Sequence, residues 1–139
     1  MLTTLRITVA LLLTAWLGSV SAQSPEEAIE RQSFLSVSAF QCAVIATDPK
    51  QRERLLTLGI KIGRDFVETV KNKPDLYAKI RSRIPSLWTY IGGPTTDFIL
   101  GQVYAQLEAY IYKKFEPDER LWKMIKDNMF REKNCELLQ

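Results

Sequence analysis

The prolines of this 139-residue chain stand at positions where a helix can begin. Proline is tolerated in the first turn of a helix, where its missing N–H is not needed, and is resisted further inside. Pro25, Pro49 and Pro74 each follow a polar residue and precede a segment in which apolar residues recur at helical spacing. They therefore predict three helix starts. Pro94, after two glycines, and Pro117 predict two more.

These signals predict five helices, with approximate bounds 25–46, 49–71, 74–82, 95–114 and 117–133. The first of these helix starts is predicted in the most detail, because Ser24 and Glu27 have the spacing of a capping box around Pro25. A further short turn is expected after Ser86. No alternation typical of strands extends beyond a few residues, and no repeat is present. The sequence thus predicts an all-α protein, a single compact bundle of about five helices. The connections are short, and proline marks the helix starts.

Small residues lie on the apolar faces of two of these helices. Gly59 and Gly63 fall on the apolar side of the second helix, where each glycine costs about 1 kcal/mol of helix propensity relative to alanine. Gly101 and Ala105 form a similar ridge on the fourth helix, one turn apart. We expect the two ridges to pack against each other, because small side chains let helix backbones approach closely.

The N-terminal segment 1–22 has the organisation of a cleavable secretory signal peptide. Arg6 precedes an apolar run, Ile7–Leu17, and small residues follow, with Val20 and Ala22 at the positions that a signal peptidase reads. We predict cleavage before Gln23, leaving one helical domain, 23–139, without a transmembrane segment. The alternative is an uncleaved anchor, but the run is shorter than the roughly 20 residues that span a bilayer.

The two cysteines, Cys42 and Cys135, both lie in the predicted mature domain. An exported chain meets an oxidising compartment, so an intramolecular disulfide between the first helix and the C-terminal tail is the simplest interpretation. The alternative is a pair of independent buried thiols. The same context predicts a periplasmic or secreted protein.

Composition and motifs disfavour several classes of activity. The chain has no histidine, which excludes histidine acid–base chemistry and the commonest zinc ligation. It has no phosphate-binding loop, no nucleophile elbow and no set of cysteines with metal-binding spacing. Acidic and basic residues are interspersed, so a nucleic-acid partner is not expected. We predict no cofactor, no metal and no catalytic residue, and we favour a protein that is not an enzyme.

A basic segment followed by aromatic residues is the best candidate for a binding surface. The span 71–83 carries five basic residues and one acidic residue just before two aromatic ones, and could face an anionic surface such as an acidic protein or lipid headgroups. The alternative is a short solvated helix whose aromatic residues fill the core. Asp97 belongs to the same region, although helix capping also explains it. The candidate binding residues are Lys79, Arg81, Arg83, Trp88, Tyr90 and Asp97.

We therefore expect an exported, non-enzymatic binding protein, such as an immunity, inhibitor or adaptor module, whose partner is a protein with an acidic surface. Several unrelated groups share this general plan, among them bacterial immunity proteins, so the plan identifies none of them. A second hypothesis is a carboxylate-dependent enzyme or a carrier of a small apolar ligand, which needs a concave site between the second and fourth helices. Asp65, Glu68 or Asp97 would belong to that site. A third hypothesis is a structural or chaperone-like envelope protein.

Overall fold

The computed structural model describes residues 23–89, 92–114 and 119–139. The predicted signal segment and Tyr90 lie outside these ranges. The described residues contain no strand, so the all-α prediction is confirmed. Two 3-10 turns, Ser86–Trp88 and Cys135–Leu137, supplement the helices. The helices are α1 (Pro25–Ile45), α2 (Pro49–Asn72), α3 (Pro74–Ile80), α4 (Thr96–Lys114) and α5 (Glu119–Glu132).

The first three helices begin at the prolines that predicted them. At the start of α1, the Ser24 hydroxyl accepts a hydrogen bond from the Glu27 backbone N–H at 3.2 Å, and the Glu27 carboxylate accepts one from the Ser24 N–H at 3.1 Å. The capping box is therefore present in both halves. At the start of α2, the Asp48 side chain accepts from the Lys50 N–H instead. These capping side chains fix where the helices begin, because they accept hydrogen bonds from backbone N–H groups that have no partner within the helix.

The disulfide prediction is confirmed. Cys42 in the second half of α1 is bonded to Cys135 after α5, with 5.6 Å between their Cα atoms and a separation of 93 residues. Both cysteines are buried, and apolar residues of α1, α2 and α4 surround them in one hydrophobic cluster. The bridge therefore fastens the end of the chain to the central helix.

The apolar second half of α1 forms the middle of the bundle, and α1 packs against each of the other helices. Its closest neighbour is α2, which approaches at Gly59. A Cβ atom built on Gly59 would lie 2.6 Å from the Phe40 ring, and the Ser36 hydroxyl donates to the Gly59 carbonyl at 2.8 Å. The loss of helix propensity at Gly59 is thus offset by the close packing of α1 on α2.

The prediction that the two ridges of small residues pack against each other is wrong. Gly63 faces Ser36 on α1 and the side chain of Leu100 on α4, whereas nothing lies within 4 Å of a Cβ atom built on Gly101. Ala105 is exposed as well. The physical reason is that larger side chains provide more apolar area for the core, so α4 turns Leu100 and its neighbours inward and its small residues toward solvent.

Candidate functional site

An apolar groove runs between α2 and α4 on the surface of the bundle and encloses about 350 Å³. On α2 it extends from Leu56 to Arg64, which is about 12 Å at the rise of an α-helix. Its floor includes the Phe40 ring, which lies edge-on to the Tyr104 ring with 5.8 Å between centroids. The lining residues are Phe40, Leu56, Ile60, Arg64, Asp97, Leu100, Gly101 and Tyr104.

The groove follows from the packing just described. Because Gly59 admits the Phe40 ring, α1 lies deep against α2 and its aromatic side chain reaches the space beside α4. On the α4 side, Gly101 contributes no side chain to fill that space. The result is a concave apolar surface that stays open toward solvent at Gly101.

An ion pair between two helices closes one end of the groove. Arg64 on α2 donates from Nε to Oδ1 of Asp97 at 2.8 Å and from Nη2 to Oδ2 at 3.1 Å. These hydrogen bonds are the main reason that the pKa of Asp97 is lowered and that of Arg64 is raised. Asp97 does not cap α4, since the Thr95 hydroxyl accepts from the Phe98 N–H. The capping interpretation of Asp97 is therefore wrong.

Tyr104 borders the groove on the α4 side and is partly buried. Burial is the largest cause that raises the pKa of its hydroxyl, and the nearby carboxylate of Glu108 raises it further. The hydroxyl therefore remains protonated at neutral pH and can donate a hydrogen bond. The groove thus combines apolar walls with one neutral donor and one satisfied ion pair, which suits the binding of apolar groups rather than proton transfer.

The basic segment that the sequence singled out is partly neutralised. Lys79 lies 3.7 Å from a carboxylate oxygen of Glu26, and Arg83 lies 2.9 Å from one of Glu30. Both acidic residues belong to the first turns of α1. Arg81 is exposed on the same segment. Two of the three predicted cations therefore already have acidic partners within the chain.

Trp88 is not an exposed anchor, and the prediction is wrong for this residue. Its side chain is 0% exposed, and its indole N–H donates to the Ser33 carbonyl at 3.1 Å. Its ring centroid lies 4.8 Å from that of Phe66. The alternative interpretation applies, in which the aromatic residue fills the core, because a side chain of this size contributes the most apolar area when it is buried.

A second concave surface lies between the α1–α2 connection and α5 near the disulfide. Two of the three acidic residues that line it have structural partners: Asp48 caps α2, and Asp127 accepts a hydrogen bond from the Thr47 hydroxyl at 2.6 Å. Thr47 and Lys123 together lower the pKa of Asp127. These contacts join α5 to the end of α1, so we assign the cleft a structural role.

The sequence did not indicate that Arg64 and Phe40 line a groove. Arg64 and Asp97 are 33 residues apart, and no local pattern relates them. Phe40 lies in an almost continuous apolar run that does not reveal which neighbour each residue contacts. Of the three carboxylates that the second hypothesis would need in a concave site between these helices, Asp97 lines the groove, while Asp65 and Glu68 are exposed outside it.

No protein-family model, curated protein sequence or solved structure matches this chain. Within the described ranges, none of the helices combines the length and hydropathy that crossing a bilayer requires. In the same part of the chain, no group of three or more acidic or cysteine side chains is placed to hold a metal ion.

Proposed function

We propose that this chain is an exported, non-enzymatic binding protein that engages a partner protein through the groove between α2 and α4. The observation that carries the proposal is an open apolar groove on the surface of a small helical bundle. Exposed apolar concavities are uncommon on proteins that act alone and mark interaction sites. The disulfide and the N-terminal segment 1–22 support export.

A protein segment suits the groove better than an enclosed small molecule. Small-ligand sites bury most of their ligand, whereas this groove stays open toward solvent at Gly101. Its length matches two turns of a helix, so it has room for one or two large apolar side chains presented by a partner. The proposed contact surface therefore differs from the basic segment, where Trp88 is buried and two cations are paired.

A peptide selection tests this proposal. A random peptide library displayed on phage is selected on the purified protein, and we expect enriched peptides with aromatic or large aliphatic residues. Gly101→Leu adds a bulky side chain at the open edge of the groove without a clash, since nothing lies within 4 Å of a Cβ atom built on Gly101. We expect it to weaken peptide binding by about tenfold or more, whereas Gln106→Leu, exposed on the same helix outside the groove, leaves binding unchanged. Peptides that bind both variants as tightly as the original protein would contradict the proposal.

A carrier of a small apolar ligand is the second candidate, because about 350 Å³ lies within the roughly 300 to 1,000 Å³ of ligand pockets. N-phenyl-1-naphthylamine, a fluorescent apolar probe, distinguishes a carrier of a small ligand from a protein that binds a partner protein. Saturable binding of one probe per chain, abolished by Gly101→Leu, together with no selected peptide, would favour the carrier. The enzyme alternative has less support, since Asp97 is the one carboxylate among the described groove residues and Arg64 holds it ionised.

A further inference from the structure

Gln23 is the first residue of the mature chain that we propose, and its surroundings leave it free to react. It is exposed, and it lies outside α1, two residues before Pro25. Among the described residues, neither its side-chain amide nor its backbone nitrogen takes part in a hydrogen bond or an ion pair. Removal of the segment before it turns that nitrogen into a free α-amine. An amine and an amide without partners then lie in the same residue.

The residue after Gln23 is held by the capping box of α1. The Ser24 N–H donates to the Glu27 carboxylate at 3.1 Å, and the Ser24 hydroxyl accepts from the Glu27 N–H at 3.2 Å. Gln23 is therefore the only residue of the proposed mature chain that precedes the cap. A change confined to Gln23 leaves both hydrogen bonds of the box in place, as long as the Ser24 nitrogen remains an amide.

A glutamine at the start of a chain can react with itself, because attack of its α-amine on its own amide carbon, Cδ, closes a five-membered ring. An α-amine has an ordinary pKa of about 7.7–8.0, so part of it is unprotonated and nucleophilic at neutral pH. The N–Cδ bond forms, the Cδ–Nε2 bond breaks, and ammonia leaves with a proton that the amine gives up. The reaction requires no oxidant, metal or second substrate.

We propose that Gln23 is a modification site, at which the mature chain closes this ring and begins with pyroglutamate. The proposal rests on the export that we propose above, because the reaction needs a cleavage that exposes the Gln23 amine. It does not depend on the groove between α2 and α4. The product lacks the N-terminal positive charge and is lighter than the unmodified chain by the mass of one ammonia molecule.

The ring protects the start of the central helix. Aminopeptidases recognise a free α-amine, and the cyclised residue has none. Removal of Gln23 by such an enzyme would turn the Ser24 nitrogen, a donor of the capping box, into a terminal ammonium. A positive charge at this place is unfavourable, because the N-terminal end of a helix dipole is itself positive. In the cyclised chain, the Ser24 nitrogen stays an uncharged amide that donates to Glu27.

Mass spectrometry of the intact protein, freshly isolated from its native cells and fragmented from its N-terminus, tests the proposal. We expect most chains to begin at residue 23 and to lack one ammonia mass, with the loss located at Gln23. Pyroglutamyl aminopeptidase should remove that residue and leave Ser24 first. Gln23→Asn, introduced into the same full-length precursor, is the matched control. It keeps a side-chain amide that is one methylene shorter, so attack by the amine would give a strained four-membered ring, and we expect this variant to keep its full mass.

Digestion with a general aminopeptidase gives a second measurement. It should leave the original mature protein intact and remove the first residue of the Gln23→Asn variant. A chain that begins at Gln23 with its full mass would overturn the modification and leave the proposed export standing. A chain that begins at any other residue would overturn the proposed cleavage and the modification together. Loss of ammonia from the first residue of the variant would also contradict the ring.

Discussion

Gly59 and Gly101 occupy opposite environments although both are glycines within helices. Gly59 is buried, and a methyl group there would meet the Phe40 ring at 2.6 Å. Phe40 is fully buried, so its ring has little room to move. Gly101 is exposed and has no neighbour within 4 Å of an added Cβ atom. The close approach of α1 and α2 thus depends on the first glycine, and not on the second.

The substitutions Gly59→Ala and Gly101→Ala should therefore change stability in opposite directions. For Gly59→Ala, overpacking of about 1–3 kcal/mol outweighs a gain in helix propensity of about 1 kcal/mol, so we expect a net loss of up to about 2 kcal/mol. For Gly101→Ala, the same gain is unopposed, and we expect stabilisation of up to about 1 kcal/mol. Urea unfolding at low protein concentration measures both. Equal effects of the two substitutions would contradict the packing described.

Asp127 connects stability to pH. Hydrogen bonds from Thr47 and then Lys123 lower its pKa below the ordinary value of 3.8. A carboxylate with a lowered pKa in the folded state contributes stability above the ordinary value and loses it as the pH falls through the lowered one. We expect the original protein to lose more unfolding free energy between pH 6 and strongly acidic solution than Asp127→Asn does.

Thr47→Ala tests whether the hydrogen bond from Thr47 causes this acid dependence, because it removes the Thr47 hydroxyl and leaves the Asp127 carboxylate in place. We expect its loss of stability in acid to be smaller than that of the original protein as well. Unfolding by urea at several pH values measures all three proteins. Indistinguishable acid dependence of the three would show that the Thr47–Asp127 contact does not act as described.

At the scale of single helices, the capping box at the start of α1 makes a quantitative prediction. Ser24→Ala removes the acceptor for the Glu27 N–H, and we expect a loss of about 1 kcal/mol. Glu27→Ala removes the reciprocal acceptor for the Ser24 N–H. Because the two side chains act on one helix end, a double-mutant cycle should show a positive coupling energy. Strict additivity of the two losses would argue against the box.

Helix starts could be predicted from the sequence because their causes are local. Pro25, Pro49 and Pro74, with the polar residues before them, determine starts that the structure places at the same residues. Helix ends were less accurate: α3 ends at Ile80, two residues before the predicted end. The sequence there lacks a glycine that would terminate the helix sharply, so tertiary contacts determine the last turn.

The contacts between helices could not be predicted in the same way. Periodicity identified the large apolar residues of α4 that face the core, but it did not show that the small residues Gly101 and Ala105 face solvent instead of packing against α2. Lys126 of α5 is a second example, because only 7% of it is exposed. Its Nζ atom lies 5.0 Å from the ring centroid of Trp122 and 5.5 Å from that of Tyr112. The charge pattern along α5 does not reveal that the ammonium group of Lys126 lies over two aromatic rings.

At the scale of the whole molecule, the disulfide ties the C-terminal tail to the central helix across 93 residues. Closing a loop of this length restricts the unfolded chain and contributes roughly 4–5 kcal/mol on the chain-entropy model. We expect the double substitution Cys42→Ala and Cys135→Ala to lower the unfolding free energy by a large part of that amount. Denaturant unfolding measures it, and a loss below about 1 kcal/mol would contradict the role assigned to the bridge.

We propose that this helical bundle is exported and then fastened by its disulfide. Mass spectrometry of the protein isolated from its native cells, with and without reductant, tests this most directly. We expect a chain that begins at Gln23 and gains two hydrogen masses on reduction. An intact chain that begins at Met1, with Cys42 and Cys135 both free to react before reduction, would contradict it.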